Sequence, residues 1–376
     1  MANSLSTLRG VTIILVASLL AFSSSAMACT GITLKGSDGT IVFARTLEWG
    51  TFDLQGDFLV IPRGTALKAT PMPDDRAGIG WTAKYGVAGA SGIKKLILAD
   101  AVNEHGLTIG MFYLPGFTEY QPYDPKTADI SMASVDVPMY LASQFRTLDE
   151  VRAGLEKVRV VPVVEKIIGI VPPVHYIVTD PSGKSAVIQY IKGELTFFDA
   201  PLGVVTNSPN YDWHILNLNN YLNLSAVGLS PVAASGLKFA PLGAGSGMIG
   251  LPGDFTPPSR FVRAVAFTQT ARKTKGGYDT VREAFRILDN FNVPAAAAEG
   301  SAGQSHGDDL IYSATQWTIA TDIKNMRVYY HTQFNRNVRM VDLNTIDFGD
   351  TAAGIKRIPL DESREPAIKE VKSFSK

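Results

Sequence analysis

The chain has one cysteine in 376 residues, no excess of either charge, no internal repeat and no pair of histidines spaced to hold a metal. Each shortage excludes something. A lone cysteine cannot form an intramolecular disulfide, so the Cys29 thiol must be buried, paired between chains, lipidated or used. A formal net charge of zero gives nucleic acid or an anionic membrane nothing to be drawn to. The five histidines, His105, His175, His214, His306 and His331, occupy unmarked contexts, and none sits where a papain-type cysteine hydrolase needs its base. Each reads as an ordinary strand or loop histidine. Gly243–Met248 is glycine-rich but lacks the lysine of a phosphate loop and does not join a strand to a helix, so it is not read as one. No metal or organic cofactor is expected.

What is present is ordinary globular material, 45% apolar and 19% charged, enough for one large domain. The N-terminus is the exception. Arg9, an apolar stretch from Val11 to Phe22, Ser23-Ser24-Ser25 and Ala26-Met27-Ala28 have the order of a secretory signal peptide. The apolar stretch is shorter than the ~20 residues a bilayer-spanning helix needs, so residues 1–28 read as removed, with no stable membrane insertion afterwards. Removal takes away only Arg9, leaving 34 basic side chains against 35 acidic. Cleavage after Ala28 would make Cys29 N-terminal and give one residue both a thiol and a free amine, a nucleophile with its own base. A core cysteine has no reason to follow a cleavage site directly. Lipidation of Cys29 is the competing fate, but that pathway favours leucine three residues earlier, where Ala26 stands.

Ile32–Leu34 and Thr40–Ala44 flank Gly36-Ser37-Asp38-Gly39, a hairpin signal that brings Cys29 and Arg45 to one sheet edge. There Arg45 would lower the thiol pKa and Glu48 would hold a terminal amine, unless the two form only a surface ion pair. Further strands are expected at Phe58–Ile61, in a hairpin over 96–114, in a meander over 174–206 and in a last hairpin over 311–331. Helices are expected at Val137–Phe145, after a capping box at Thr147–Glu150, from Ser259, and after a second box at Thr280–Glu283. Residues 215–256 carry too many apolar side chains for a solvated linker, and Ala295–Asp308 reads as a mobile loop. The pattern is α+β: one domain over 29–350, then a charged tail over 351–376.

Four separated motifs then carry a resemblance. Cys29-Thr30-Gly31 with Arg45-Thr46-Leu47-Glu48-Trp49, Asn103–Leu107 with Pro115-Gly116, Thr206-Asn207-Ser208-Pro209, and Pro252-Gly253-Asp254 with Pro258-Ser259-Arg260-Phe261 resemble the choloylglycine hydrolase family of penicillin V acylases and bile salt hydrolases. The resemblance runs from Cys29 to about Leu343. It implies an N-terminal nucleophile hydrolase with a four-layer αββα sandwich that cleaves a linear, non-peptide amide of a small-molecule substrate and is assembled as a homotetramer; the signal segment makes the mature enzyme periplasmic or secreted. By the same resemblance Cys29 is the nucleophile, Arg45 stands beside its thiol and Arg260 belongs to the charge network. Asn207 and the backbone N–H of Tyr113 would form the oxyanion hole. Tyr113 lies where bile salt hydrolases usually have asparagine and several penicillin V acylases have tyrosine. Glu48 departs from the family's usual aspartate, and its extra methylene matters against the ~0.5 Å tolerance of a preorganised site.

Penicillin V or an acyl-homoserine lactone is therefore the expected type of substrate, with conjugated bile salts as the alternative. A reading from another class is an inactive, lipid-anchored binding protein of the envelope, with Glu48 marking a decayed site.

Overall fold

The structure, a computed structural model, describes residues 29–295, 297 and 313–370. The expected signal segment 1–28, most of the 295–308 loop and residues 371–376 lie outside the described residues. The strands of the two large sheets are, in chain order, β1 (Thr30–Lys35), β2 (Ile41–Glu48), β3 (Asp57–Ile61), β4 (Val87–Ser91), β5 (Leu98–Asn103), β6 (Thr108–Tyr113), β7 (Val174–Thr179), β8 (Ser185–Ile191), β9 (Glu194–Asp199), β10 (Thr315–Asp322), β11 (Arg327–Thr332), β12 (Arg339–Asp342) and β13 (Lys356–Pro359). One sheet runs β1-β2-β10-β11-β12 and the other β9-β8-β7-β6-β5-β4-β3-β13. The helices are α1 (Val137–Gln144), α2 (Leu148–Leu155), α3 (Tyr211–Asn217), α4 (Pro257–Thr270) and α5 (Tyr278–Leu288).

The layering follows from which faces are apolar. β2 and β10 are buried along their whole length, as inner strands covered on both faces must be. Leu47, Trp317 and Ile319 of the smaller sheet pack on Phe58, Val60, Ala88 and Val102 of the larger one, forming the core between the sheets. On the outside, α1 and α2 cover the larger sheet through Leu141, Val151 and Leu155, while Phe261, Val281 and Leu288 of α4 and α5 cover the smaller. The result is a four-layer αββα sandwich, with β1 and β2 on its inner seam.

Local signals account for most elements, and four places differ instructively. Thr147 caps α2 by accepting the Glu150 N–H at 3.2 Å, as the capping box requires. Thr280 does not cap α5: the helix begins earlier, at Tyr278, and the buried Thr280 hydroxyl bonds that of Thr274 at 2.8 Å. Gly277, at φ 52°, makes the entry turn instead. The expected strand over Gly203–Thr206 is replaced by a single bridge between Val205 and Gly31, the contact that brings the next residues to Cys29. Residues 215–256 do form an excursion, with a short hairpin of Val232–Ala234 and Leu237–Phe239, but their apolar side chains are exposed: Leu222 is 82% exposed and Val227 75%. Lys356–Pro359, within the charged C-terminal segment, adds an edge strand beside β3, and Leu360 is buried.

Candidate active site

Cys29 lies immediately before β1 and is buried. Its surroundings are set by Gly31. A Cβ there would sit 2.7 Å from Phe112 and 2.8 Å from Val205, so only glycine lets β1 approach both. That closeness permits the paired bonds from Gly31 N–H to the Val205 carbonyl at 2.8 Å and from Val205 N–H to the Gly31 carbonyl at 3.0 Å. Asn207, two residues further along the chain, thereby reaches the Cys29 backbone. In the uncleaved chain the Cys29 nitrogen is a peptide N–H. It donates to Asn207 Oδ1 at 2.9 Å, and after loss of Ala28 the same nitrogen would be the amine.

Arg260, near the start of α4 and fully buried, knits this corner together. Its Nη2 donates to Asn207 Oδ1 at 2.6 Å, its Nη1 to the Cys29 carbonyl and to Thr30 Oγ1 at 2.9 Å, and its Nε to the Phe255 carbonyl at 2.8 Å. Two donors on Oδ1 fix which end of the Asn207 amide is oxygen. Its Nδ2 donates one hydrogen to the Tyr113 carbonyl at 2.7 Å and keeps a second. Tyr113 pairs with Val174 across β6 and β7, while Leu114 N–H bonds the Pro173 carbonyl and Val174 N–H bonds the Tyr120 hydroxyl. Tyr113 is thus in a non-hydrogen-bonded pair, and its N–H and carbonyl share the edge that faces Asn207.

Arg45 faces Gly31 in the β1–β2 register. Its Nη1 donates to the Met111 carbonyl at 3.0 Å and to Asp100 Oδ1 at 3.3 Å, and its guanidinium lies 4.3 Å above the Phe112 ring. Glu48 Oε1 accepts the Thr315 hydroxyl at 2.8 Å. Burial pushes the Glu48 carboxyl up to about 7 against the pull of Arg260, of the Thr46 and Thr315 hydroxyls and of Arg45. Burial also raises the Cys29 thiol, opposed by Arg45, by the Glu48 backbone N–H that bonds the sulfur, and by Arg260, while the Glu48 carboxyl adds to the rise. The thiol is therefore held neutral until its proton has somewhere to go.

All six residues singled out from sequence, Cys29, Arg45, Glu48, Tyr113, Asn207 and Arg260, meet here. One placement differs from expectation: the oxygen holding the Cys29 nitrogen belongs to Asn207, and the Glu48 carboxylate is turned to Thr315. Residues missed from sequence stand behind these. Asp100 anchors Arg45 and also accepts the Trp317 indole N–H at 3.2 Å; a single aspartate inside the apolar strand Leu98–Asn103 was the available signal. His175 and His214 support the Asn207 segment, contacting the Thr206 carbonyl through Nε2 at 3.0 Å and the Asn207 carbonyl through Nε2 at 2.9 Å. Burial drives them down to about 3 and about 4 respectively, so both are neutral and each Nε2 carries the proton it donates.

A cavity of about 120 Å³ opens from Cys29 between the two sheets. Its walls are almost wholly apolar: Leu47, Trp49 and Leu54, Ile93 and Ile97, Met111 and Phe112, Val135, Ile168, Val174 and Trp317. Arg45, Glu48 and Glu165 are its charged members. Such a site can present a buried thiol and two N–H donors to a carbonyl whose acyl group enters the apolar space.

The sequence profile of linear amide C–N hydrolases of the choloylglycine hydrolase family matches residues 29–356. The chain belongs to the choloylglycine hydrolase family. It is accordingly an amidohydrolase acting on linear amides, of the penicillin V acylase and choloylglycine hydrolase type. Among this member's relatives, the bile salt hydrolase/transferase of Clostridium perfringens is 31% identical over 84% of this chain and 92% of its own. The penicillin V acylase of Pectobacterium atrosepticum is 26% identical over 85% of this chain and 81% of its own. A solved variant of the Clostridium perfringens conjugated bile acid hydrolase superposes with a TM-score of 0.76 at 27% identity, covering 91% of this chain and 99% of that one. The family match begins at Cys29.

Proposed function

We propose that this family member is exported, loses residues 1–28, and works as an N-terminal cysteine amidase on aryl-acyl or fatty-acyl amides such as penicillin V or an acyl-homoserine lactone. The observation that carries the reading is the shared Asn207 Oδ1, which holds the Cys29 nitrogen and is itself held by Arg260. This fixes the would-be amine beside its own thiol. As the substrate carbonyl arrives, the amine takes the thiol proton and sulfur attacks carbon. The oxyanion forms between the second Asn207 Nδ2–H and the Tyr113 N–H, each donor stabilising it by roughly 3 kcal/mol. The amine returns the proton to the departing nitrogen, the C–N bond breaks, and the thioester remains. Water, deprotonated by the same amine, then releases the acid.

Cavity size supports the acyl preference. The ~120 Å³ cavity is close in size to the ~150 Å³ apolar cavity that takes one benzene ring, which suits an aryl-acyl group; a four-ring sterol would have to lie largely outside it, as would the far end of a long acyl chain. Conjugated bile salt is the second reading, favoured by the 31% identical relative from Clostridium perfringens, a bile salt hydrolase/transferase. The exposed apolar side chains of 215–256, among them Leu222 and Val227, support assembly into a tetramer. The hydrogen bonds that join Cys29, Asn207 and Arg260 speak against the inactive, lipid-anchored alternative. Hydrolysis of penicillin V, a dodecanoyl-homoserine lactone and glycocholate by the purified mature chain tests the choice. Turnover of the first two well above glycocholate is expected, and glycocholate as the preferred substrate would replace the reading with the second.

A further inference from the structure

One wall of the cavity rests on an unusual turn. Ile93 and Lys94, between β4 and β5, both have φ 54°, in the left-handed region that a β-branched residue such as Ile93 rarely enters. Ile93 nonetheless lines the cavity. Conformations of this kind persist only where the surroundings over-determine them, and here the ties are visible. Ile93 N–H donates to the Leu54 carbonyl at 2.7 Å. Lys94 Nζ lies 2.8 Å from Asp57 Oδ1, and Lys95 pairs with Glu165, which also lines the cavity. The Asp57 side chain is 1% exposed.

Arg357 links two of these ties. Its Nη1 donates to Asp57 Oδ2 at 2.5 Å and its Nη2 to the Lys95 carbonyl at 3.0 Å, the same carbonyl that accepts the Ser91 hydroxyl at 2.7 Å. A single planar guanidinium thus fixes both the buried carboxylate under the turn and the turn's own backbone. Arg357 belongs to β13, which is held beside β3 with Arg357 opposite Leu59, and it lies one residue past the family-matched segment. We propose that Arg357 is a positioning residue for acyl selectivity: through Asp57 and the Lys95 carbonyl it holds the 91–95 turn so that Ile93 limits the length of acyl group the cavity accepts. The proposal rests on the cavity being the acyl site.

The test compares Arg357→Met and Ile93→Gly with the wild type on penicillin V and dodecanoyl-homoserine lactone, with calorimetric binding of phenoxyacetate and dodecanoate measured alongside. Both variants are expected to raise the dodecanoyl to phenoxyacetyl ratio of kcat/KM by about tenfold, the discrimination that small changes in pocket space provide, with the acid affinities shifting the same way. A merely structural role for Arg357 would lower both substrates together. Unchanged ratios in an active Arg357→Met variant overturn the proposal, as does an unchanged ratio in Ile93→Gly should Arg357→Met fail to fold. A wild type that cleaves neither amide sinks the functional reading instead, and the acid affinities of the variants then decide the proposal by themselves.

Discussion

Asn207 Oδ1 accepts from the Cys29 nitrogen at 2.9 Å and from Arg260 Nη2 at 2.6 Å. Through that one oxygen, a cation on a helix orients the atom that, in the proposed mechanism, would become the general base. Replacing Arg260 by Met should therefore do two things. It leaves the Cys29 carbonyl, Thr30 hydroxyl and Asn207 oxygen short of a buried charged donor, for a loss of about 3 kcal/mol in urea unfolding, and it abolishes most turnover. Arg260→Lys should recover part of the stability and little of the rate, because one ammonium cannot span the same acceptors. A Met variant with wild-type stability would contradict this.

In the proposed mechanism Asn207→Ala removes an oxyanion donor together with the acceptor for the amine. The expected loss in kcat is at least ~10²-fold, the usual effect of deleting one such donor, with a much smaller change in KM. A KM effect alone would place Asn207 in substrate binding and outside the transition state.

Glu48 gives the stability a pH signature. Its carboxyl moves from an ordinary 4.5 to about 7 in the fold, through burial. The folded pKa is the higher one, so the stabilising proton is fully present below the unfolded value and is lost as pH rises through about 7. Between those limits the wild type should lose about 3 kcal/mol relative to Glu48→Gln. Urea titrations of both proteins at pH 4.5 and 8 provide the comparison, and parallel pH dependence would show that Glu48 is not held protonated.

His214 has the opposite sign. Burial lowers it from 6.5 to about 4, so its contribution is present above pH 6.5 and fades as pH falls towards 4. His214→Gln, which can still donate to the Asn207 carbonyl, should flatten that acid loss and retain activity. His214→Phe should flatten it as well and reduce kcat about tenfold through a displaced Asn207, a fraction of the effect of removing an oxyanion donor outright. Equal kcat in the two variants would remove His214 from the support of Asn207.

The parts of this site legible in the sequence were those encoded locally. Gly36-Ser37-Asp38-Gly39 turns one strand onto the next, and the resulting β1–β2 register places Arg45 opposite Gly31. The expected pairing ended at Arg45, whereas β2 continues to Glu48 because its last residues are covered by β10 on the other side. No local signal could show this, since β10 lies far along the chain. The same holds for Val205, whose extended backbone suggests a sheet strand until Gly31 takes its hydrogen bonds. Asp100, His175 and His214 were passed over for a related reason: their partners are backbone carbonyls and a guanidinium brought near only by the fold. Glu48 was assigned the amine from spacing, yet Thr315, also on β10, supplies the hydroxyl its carboxylate faces.

The central claim, that Cys29 is both terminus and nucleophile, is tested most directly by intact mass spectrometry of the exported protein quenched during turnover of penicillin V. The predicted result is a chain beginning at unmodified Cys29, lighter by residues 1–28, that gains one phenoxyacetyl group on the Cys29 thiol, with no adduct and no activity in Cys29→Ala. A mature chain that retains residues before Cys29, carries lipid on it, or hydrolyses the amide at full rate as Cys29→Ala would contradict the claim.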